Sequence, residues 1–251
     1  MQLTLTEVLS LHFGRTLFNF LEGTSFAGDM DDAIERLEPA VSRTDAQIAR
    51  QLDKKFLAIS EHAKDYRGDR SDIIDDVISA LVYNNPITVR YRKPSGVVSR
   101  YHLHPFSLAT FRQGLYVFAL DTDANLVKTF AVERCLDLTR HRGVNFDYPP
   151  EWEPRAHLTH AFGIINGPPE DIVLAFSEQT AAYIRERSWH PTQQLSTLPD
   201  GRLKLRMSVA HTVELRTWIL GHGAEVEVLS PPSLVARIHD DLTRAAARYA
   251  T

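Results

Sequence analysis

The chain has 251 residues, of which 43% are hydrophobic and 24% are charged, and its formal net charge at pH 7 is −4. This composition is that of an ordinary globular protein with room for two or three modest cores. No stretch approaches the ~20 apolar residues that cross a bilayer, and the N-terminus lacks the basic–apolar–small pattern of a secretion signal. One cysteine, Cys135, excludes an internal disulfide. We therefore expect a cytoplasmic protein without a membrane contact.

Residues 1–68 predict a helical region. Apolar side chains form a wide helical face that ends at Gly23, and a second helix is predicted from Asp29 or Asp31. A third helix is indicated by an apolar stripe at i, i+4, i+8 and i+11, which consists of Ile48, Leu52, Phe56 and Ile59. No compact basic recognition helix occurs here, so this region is interpreted as a helical connector or dimerisation bundle.

Residues 69–142 predict one leading helix followed by short strands. A helix begins at Ser71 or Asp72 and ends before Pro86. The stretch from Ile87 to Cys135 then alternates apolar and polar residues between turns, which predicts about five antiparallel strands. So many strands without a helix between them favour a small, strongly bent antiparallel β-barrel.

This strand region is also basic. Between Val77 and Leu120 there is no Asp or Glu, whereas five bases fall there: Arg90, Arg92, Lys93, Arg100 and Arg112. A positive island on an acidic protein indicates an anionic partner that is held locally, although solvated outer faces of strands remain an equal alternative.

Several side chains of this region suit a nucleotide or a short single strand. Arg100, His102 and His104 share one face of a strand because side chains repeat every second residue. Arginine forks match phosphate, and aromatic or imidazole rings can stack on bases. The candidate ligand residues are Tyr91, Arg100, His102, His104, Tyr116 and Arg134. Tyr91 and Tyr116 could equally be core aromatics.

Residues 143–161 are rich in proline and predict a linker, and residues 162–251 predict a second folded unit. The order β-α-β-β-α-β plus a final helix is typical of a ferredoxin-like α/β sandwich, so the chain as a whole is predicted to be α+β. Four further candidates crowd a helix-to-strand junction and could complete a ligand site shared with the barrel: Arg187, Trp189, His190 and Gln193. The alternative is that Trp189 packs the hairpin and Arg187 pairs with an acid.

These motifs resemble those of WYL domains, and the resemblance implies that the barrel is a small Sm/SH3-like antiparallel β-barrel. The barrel contributes Tyr91, Arg100, His104-Pro105, the triplet Leu115-Tyr116-Val117, Phe130 and Glu133-Arg134. Only the tyrosine of the triplet is literal, and Cys135 stands where isoleucine is usual. The stretches Tyr183–Gln193 and Trp218–Pro231 resemble the WCX extension that follows WYL domains.

The resemblance covers nearly the whole chain and implies the effector-sensing region of a bacterial WYL-type transcriptional regulator. It implies a homodimer, and single-stranded DNA or a nucleotide as effector. Double-stranded DNA would be bound only through a helix-turn-helix that this sequence does not show. Whether that domain belongs to a longer chain or the sensor stands alone is left open.

An enzyme is not predicted. The pairs His102-x-His104 and His157-x-x-His160 lack a third metal ligand at typical spacing, and no nucleophile-elbow or phosphate-loop motif occurs. We expect no catalytic residue, metal or cofactor, and interpret Cys135 as a buried structural residue. The alternative function is a non-catalytic protein-interaction or dimerisation module without a nucleotide ligand.

Overall fold

The computed structural model describes residues 3–37 and 64–250. The chain divides into two compact units, Met1–Trp152 and Glu153–Thr251. The third predicted helix, with its stripe from Ile48 to Ile59, lies outside the described residues. Among those described, no helix combines the length and the apolarity that a bilayer span requires.

The described part of the N-terminal unit has three α-helices before its strands: α1 (Leu5–Leu17), α2 (Ser25–Leu37) and α3 (Asp69–Val82). A capping box starts α1, because Thr4 Oγ1 accepts from the Glu7 amide and the Glu7 carboxylate accepts from the Thr4 amide. The predicted start of α2 at Asp29 or Asp31 is wrong. The helix begins at Ser25, where Thr24 Oγ1 accepts from the Ala27 amide at 3.3 Å.

Five antiparallel strands follow: β1 (Ile87–Arg92), β2 (Val98–Phe111), β3 (Gly114–Asp121), β4 (Leu126–Ala131) and β5 (Cys135–Arg140). The sheet order is β4-β3-β2-β1-β5, and a 3₁₀ turn, Val132–Arg134, joins the two edge strands. The inner face of the sheet packs on α3 through a shared core that includes Ile74, Val77, Val89, Leu103 and Val117. The hydrogen bonding of the described strands is that of an open sheet and does not close the predicted barrel.

Residues 144–152, here called the strap, pack on the outer face of β2 and β3. The Tyr148 hydroxyl donates to the Phe106 carbonyl at 3.1 Å, and Trp152 Nε1 donates to Ser107 Oγ at 2.9 Å. The rings of Phe106 and Trp152 lie 5.3 Å apart. This stretch was predicted as part of a linker, but its aromatic residues are packed side chains of the N-terminal unit.

The C-terminal unit follows the predicted order of elements. After the short helix α4 (Pro154–His157) come β6 (Pro169–Phe176), α5 (Glu178–Arg185), β7 (Gln194–Thr197), β8 (Leu203–Ala210), α6 (Val213–Leu220), β9 (Val226–Ser230) and α7 (Pro232–Ala247). All strand pairs are antiparallel in the order β7-β8-β6-β9. Two antiparallel sheets with helices confirm the α+β class.

Candidate functional site

Arg90 and Arg100 form the centre of a basic outer face on β1 and β2. Strand alternation buries Val89 and Tyr91 and turns Arg90 outward. In the antiparallel register Arg90 lies directly opposite Arg100, and both side chains are exposed. Asp137 neighbours Arg90 on β5, but the ion pairs found among the described residues of this unit belong to other cations: Arg15, Lys64, Arg67, Lys128 and Arg140. Like charges directly opposite destabilise a sheet, so this pair is suited to a bound anion.

Two imidazoles extend the same face. Thr88 lies opposite His102, and its hydroxyl is 3.3 Å from His102 Nδ1 and 2.8 Å from His141 Nε2. Both imidazoles are exposed. The structure therefore brings Arg100 and His102 onto one outer face, as the sequence predicted, and adds Arg90 and His141 to them.

His104 lies on the same strand but under the strap. Its ring stacks on Phe146, with centroids 4.5 Å apart and planes at 7°. Burial lowers the pKa of His104, which favours the neutral imidazole. The structure thus separates His104 from the exposed part of the basic face.

Tyr91 lies on the inner side of the sheet and is 7% exposed. Its hydroxyl accepts from the Ala131 amide at 3.2 Å, and its ring meets Phe130 edge-on at 5.2 Å. Burial raises the pKa of Tyr91, and the nearby Arg134 guanidinium opposes this rise. The structure therefore brings Tyr91 and Arg134 together, with Tyr91 as a core aromatic whose hydroxyl is hydrogen-bonded.

Tyr116 is held by a lysine that sequence reasoning missed. Lys64 Nζ donates to the Tyr116 hydroxyl at 3.1 Å, lies 4.8 Å from the Tyr116 ring centroid and forms an ion pair with Glu133. Burial lowers the pKa of Lys64, but its hydrogen bonds to Glu133 and Tyr116 outweigh that effect and raise it. No local signal could have found Lys64, because 52 residues separate it from Tyr116.

In the C-terminal unit, Gln193 and His190 hold the loop after α5. Gln193 Oε1 accepts from the Trp189 amide at 2.7 Å, and Gln193 Nε2 donates to the Arg187 carbonyl at 3.2 Å. His190 is 5% exposed; its Nδ1 accepts from the Thr192 amide and its Nε2 faces the Thr159 carbonyl at 3.0 Å. Burial lowers the pKa of His190, so the neutral ring fits both contacts.

Arg187 and Trp189 lie at the surface of the same loop. The Arg187 guanidinium stacks 3.8 Å from the Tyr183 ring centroid and is exposed, which leaves its hydrogen-bond donors accessible. Trp189 is half-buried: its Nε1 donates to the Ile184 carbonyl at 3.1 Å, and its ring packs 4.7 Å from Trp218. Arg187 thus stacks on a ring rather than pairing with an acid, while Trp189 packs on Trp218 of α6.

The described residues indicate neither a reactive thiol nor a metal site. Burial raises the pKa of Cys135 to about 12, and its thiol donates to the Ala131 carbonyl, so it is a poor nucleophile. Within residues 3–37 and 64–250, no group of three or more histidine, cysteine or carboxylate side chains is arranged to hold a metal ion.

Two family models match the chain. A WYL domain covers residues 72–140 and a WCX domain covers residues 168–246. Protein PafC from two strains of Mycobacterium tuberculosis (CDC 1551 / Oshkosh and ATCC 25618 / H37Rv) is 36% identical over 80 residues, which is 30% of this chain. Those residues make up 25% of PafC, so the match spans a quarter of the length of these relatives.

Two solved structures are similar to the chain, and the second of them shares its fold. The proteasome accessory factor B/C of Arthrobacter aurescens is 20% identical, with a TM-score of 0.34 over 66% of this chain and 26% of that one. A CRISPR Cas-related protein is 12% identical, with a TM-score of 0.50 over 90% of this chain and 63% of that one. From the matched domains, this chain is a WYL domain-containing protein in which a WCX domain follows the WYL domain.

Proposed function

We propose that this chain is the sensing region of a WYL-type transcriptional regulator and that its effector is single-stranded DNA or a nucleotide. The observation that carries the proposal is the in-register pair of exposed arginines, Arg90 and Arg100. A phosphate bound between them would neutralise the repulsion that the free protein tolerates. The PafC match and the WYL and WCX domains support a regulatory role.

The chemistry of the face fits a phosphodiester. Opposed residues on neighbouring strands have Cβ atoms about 4.5–5.5 Å apart, so two guanidinium forks can reach one phosphate or two adjacent ones. His102 and His141 lie beside them and add donors or flat faces. In this arrangement the face contacts the phosphate backbone of the oligonucleotide, and the bases remain free to stack on other side chains.

The WCX domain offers a second contact of the same kind on its own surface. Arg187 is exposed over the Tyr183 ring, and Tyr183 is itself 44% exposed. A guanidinium backed by an aromatic ring keeps its planar fork fixed at little entropic cost. In this proposal Arg187 meets a phosphate and Tyr183 or Trp189 meets a base.

The proposed output is regulatory and not catalytic. Binding would favour one arrangement of the homodimer and so alter DNA binding by a helix-turn-helix domain outside these residues. No cofactor takes part.

A second candidate, a protein-interaction or dimerisation module without a nucleotide ligand, is favoured by the N-terminal helices. Leu11 and Leu17 of α1 are 40% and 56% exposed, and Phe26 of α2 is 38% exposed. Exposed apolar patches mark interaction surfaces. This candidate predicts no salt-sensitive affinity for an oligonucleotide.

Titration of the chain with a labelled oligothymidylate of about 12 nucleotides tests the first candidate against the second. Phosphate contacts release counterions, so log affinity should fall linearly with log salt, with a slope near −0.7 per contact. Saturable binding with a slope worth two or more contacts supports the sensor. Absence of binding at low salt would remove single-stranded nucleic acid from the function.

A further inference from the structure

The end of β4 and the 3₁₀ turn Val132–Arg134 join two sets of contacts within three consecutive residues, 131–133. On one side, the Ala131 amide donates to the Tyr91 hydroxyl. On the other, the Glu133 carboxylate pairs with Lys64, and its carbonyl accepts from Arg70 Nη1 at 2.6 Å. Val132 between them is 1% exposed, so the turn is anchored and cannot move without its neighbours.

Glu133 links the turn to residues 64–70, here called the entry segment, which leads into α3. The Tyr66 hydroxyl lies 3.5 Å from Glu133 Oε2 and accepts from the Leu115 amide at 2.7 Å. Tyr66 is 1% exposed, and burial strongly raises its pKa. Lys64 and Glu133 side chains are only 27% and 19% exposed, so their ion pair is shielded from salt.

Gly114 leaves room for this contact. A β-carbon at position 114 would lie 2.7 Å from Lys64 Nζ and 3.0 Å from Lys64 Cε. The lysine side chain therefore crosses directly over the start of β3 to reach Tyr116 and Glu133. A bulkier residue at 114 would displace the flexible end of Lys64 with little strain elsewhere.

Strand β1 connects the basic face to the turn. Arg90 points outward, and Tyr91, the next residue, points inward to the Ala131 amide. The β1–β5 register shifts between these two residues, which marks a bulge where the strand can adjust. Arg90, Tyr91, Ala131, Val132, Glu133 and Lys64 thus form one continuous series of covalent neighbours and hydrogen-bonded contacts.

We propose that Glu133 and Lys64 are coupling residues that transmit occupancy of the basic face to the entry segment. The ligand in this inference rests on the proposed function, whereas the coupling between the contacts of Tyr91 and those of Lys64 does not depend on it. Coupling free energy is reciprocal, so a change at either end must alter the other.

Amide hydrogen exchange of the ligand-free chain measures the link through two amides, Leu115 and Ala131, each bonded to a tyrosine hydroxyl. Lys64→Met should speed exchange at Ala131, and Tyr91→Phe should speed exchange at Leu115, each by about fivefold. Rates are normalised to the Phe118 amide of the same sheet, which reports opening of the sheet as a whole. Gly114→Ala replaces Lys64→Met should that variant not fold.

Tyr148→Phe is the matched control, because it also removes a tyrosine hydroxyl that is hydrogen-bonded to backbone. It should leave both amides unchanged. If Lys64→Met leaves the exchange rate at Ala131 unchanged and Tyr91→Phe leaves the rate at Leu115 unchanged, the coupling is overturned, whether or not an oligonucleotide binds.

The same readout with the oligothymidylate separates the two proposals. In the unsubstituted chain, binding of the oligothymidylate should change the exchange rate of the Leu115 amide. In Lys64→Met the oligothymidylate should still bind, but the exchange rate of the Leu115 amide should no longer change on binding. Retention of the change in Lys64→Met overturns the coupling. Coupled amides in a chain that binds no oligothymidylate would instead remove single-stranded nucleic acid as the effector and leave the coupling intact.

Discussion

Arg90 on β1 and Arg100 on β2 occupy directly opposed positions of an antiparallel ladder, with both side chains exposed. An ordinary solvated sheet face places opposite charges, or one charge and one polar residue, in such pairs. On this face Arg90 also lies opposite Asp137 of β5, but Arg100 places a second guanidinium beside it, and two imidazoles lie on the same face. This is the arrangement expected of a surface whose complement is an anion.

Arg90→Gln and Arg100→Gln should therefore each weaken binding of the oligothymidylate and reduce the salt slope by about 0.7. The free Arg100→Gln protein should become more stable by roughly 0.2–1 kcal/mol, because the repulsion is removed. Arg90→Gln should gain less, because it also removes the cation opposite Asp137. Fluorescence anisotropy at several salt concentrations and urea unfolding measure the two effects.

The control for this experiment is Arg206→Gln. Arg206 is also exposed on a strand, but its guanidinium pairs with Asp171 at 2.7 Å. Its loss should leave the salt slope unaltered. An equal drop of slope in all three variants would show that charge in general, not the opposed pair, drives binding.

Tyr91→Phe should destabilise the chain by about 1–3 kcal/mol, because it leaves the buried Ala131 amide without an acceptor. Urea unfolding measures the change. Tyr148→Phe removes a comparable bond to the Phe106 carbonyl, but Tyr148 is 40% exposed and water can replace the hydroxyl. A cost as large for Tyr148→Phe as for Tyr91→Phe would contradict the burial argument.

Strand faces and turns, which depend on residues close together in the sequence, were predicted well. The alternation around Arg100 correctly placed His102 on the same face, because a strand repeats every second residue. The hairpin of the C-terminal unit was readable from Pro199-Asp200-Gly201, where Gly201 adopts a φ of 88° that favours glycine. The order of the elements around it followed from such turns.

What depends on distant contacts could not be predicted. Trp152 bonds to Ser107 across 45 residues, and Lys64 bonds to Tyr116 across 52. No periodicity within either segment records these partners, so the strap was interpreted as a linker and Lys64 was overlooked. His104 lies on the predicted face of the strand, but Phe146 of the strap stacks on its ring and covers it.

Arg187→Gln should lower affinity for the oligothymidylate while changing the free energy of unfolding by less than about 1 kcal/mol, which is the usual value of an exposed cation–π contact. Gln193→Ala should do the reverse: it removes the acceptor of the Trp189 amide and the donor to the Arg187 carbonyl. Anisotropy and thermal unfolding of both variants distinguish a ligand contact from a loop support. Equal loss of stability in the two would assign Arg187 a structural role.

The stability of the chain should decrease on mild acidification, because burial lowers the pKa of four histidines: His104, His157, His190 and His222. Below the ordinary histidine pKa near 6.5, these imidazoles bind protons in the unfolded chain but remain neutral in the folded chain. The free energy of unfolding is therefore unaffected above that value and falls as the pH drops through it. The buried carboxylate Asp121 has a lowered pKa, so its contribution is lost only below about 3.8 and does not confuse this window.

Thermal unfolding at about pH 7.5 and about pH 5 should show a lower midpoint in acid. His222→Phe should reduce that difference, because His222 packs against Phe176 and Trp218 at centroid distances of 5.3 and 4.9 Å, where an aromatic ring without a titrating group fits. His239→Gln, which removes an exposed histidine of α7, is the control. Identical midpoints at the two pH values would contradict the inference that these imidazoles are buried in the neutral form.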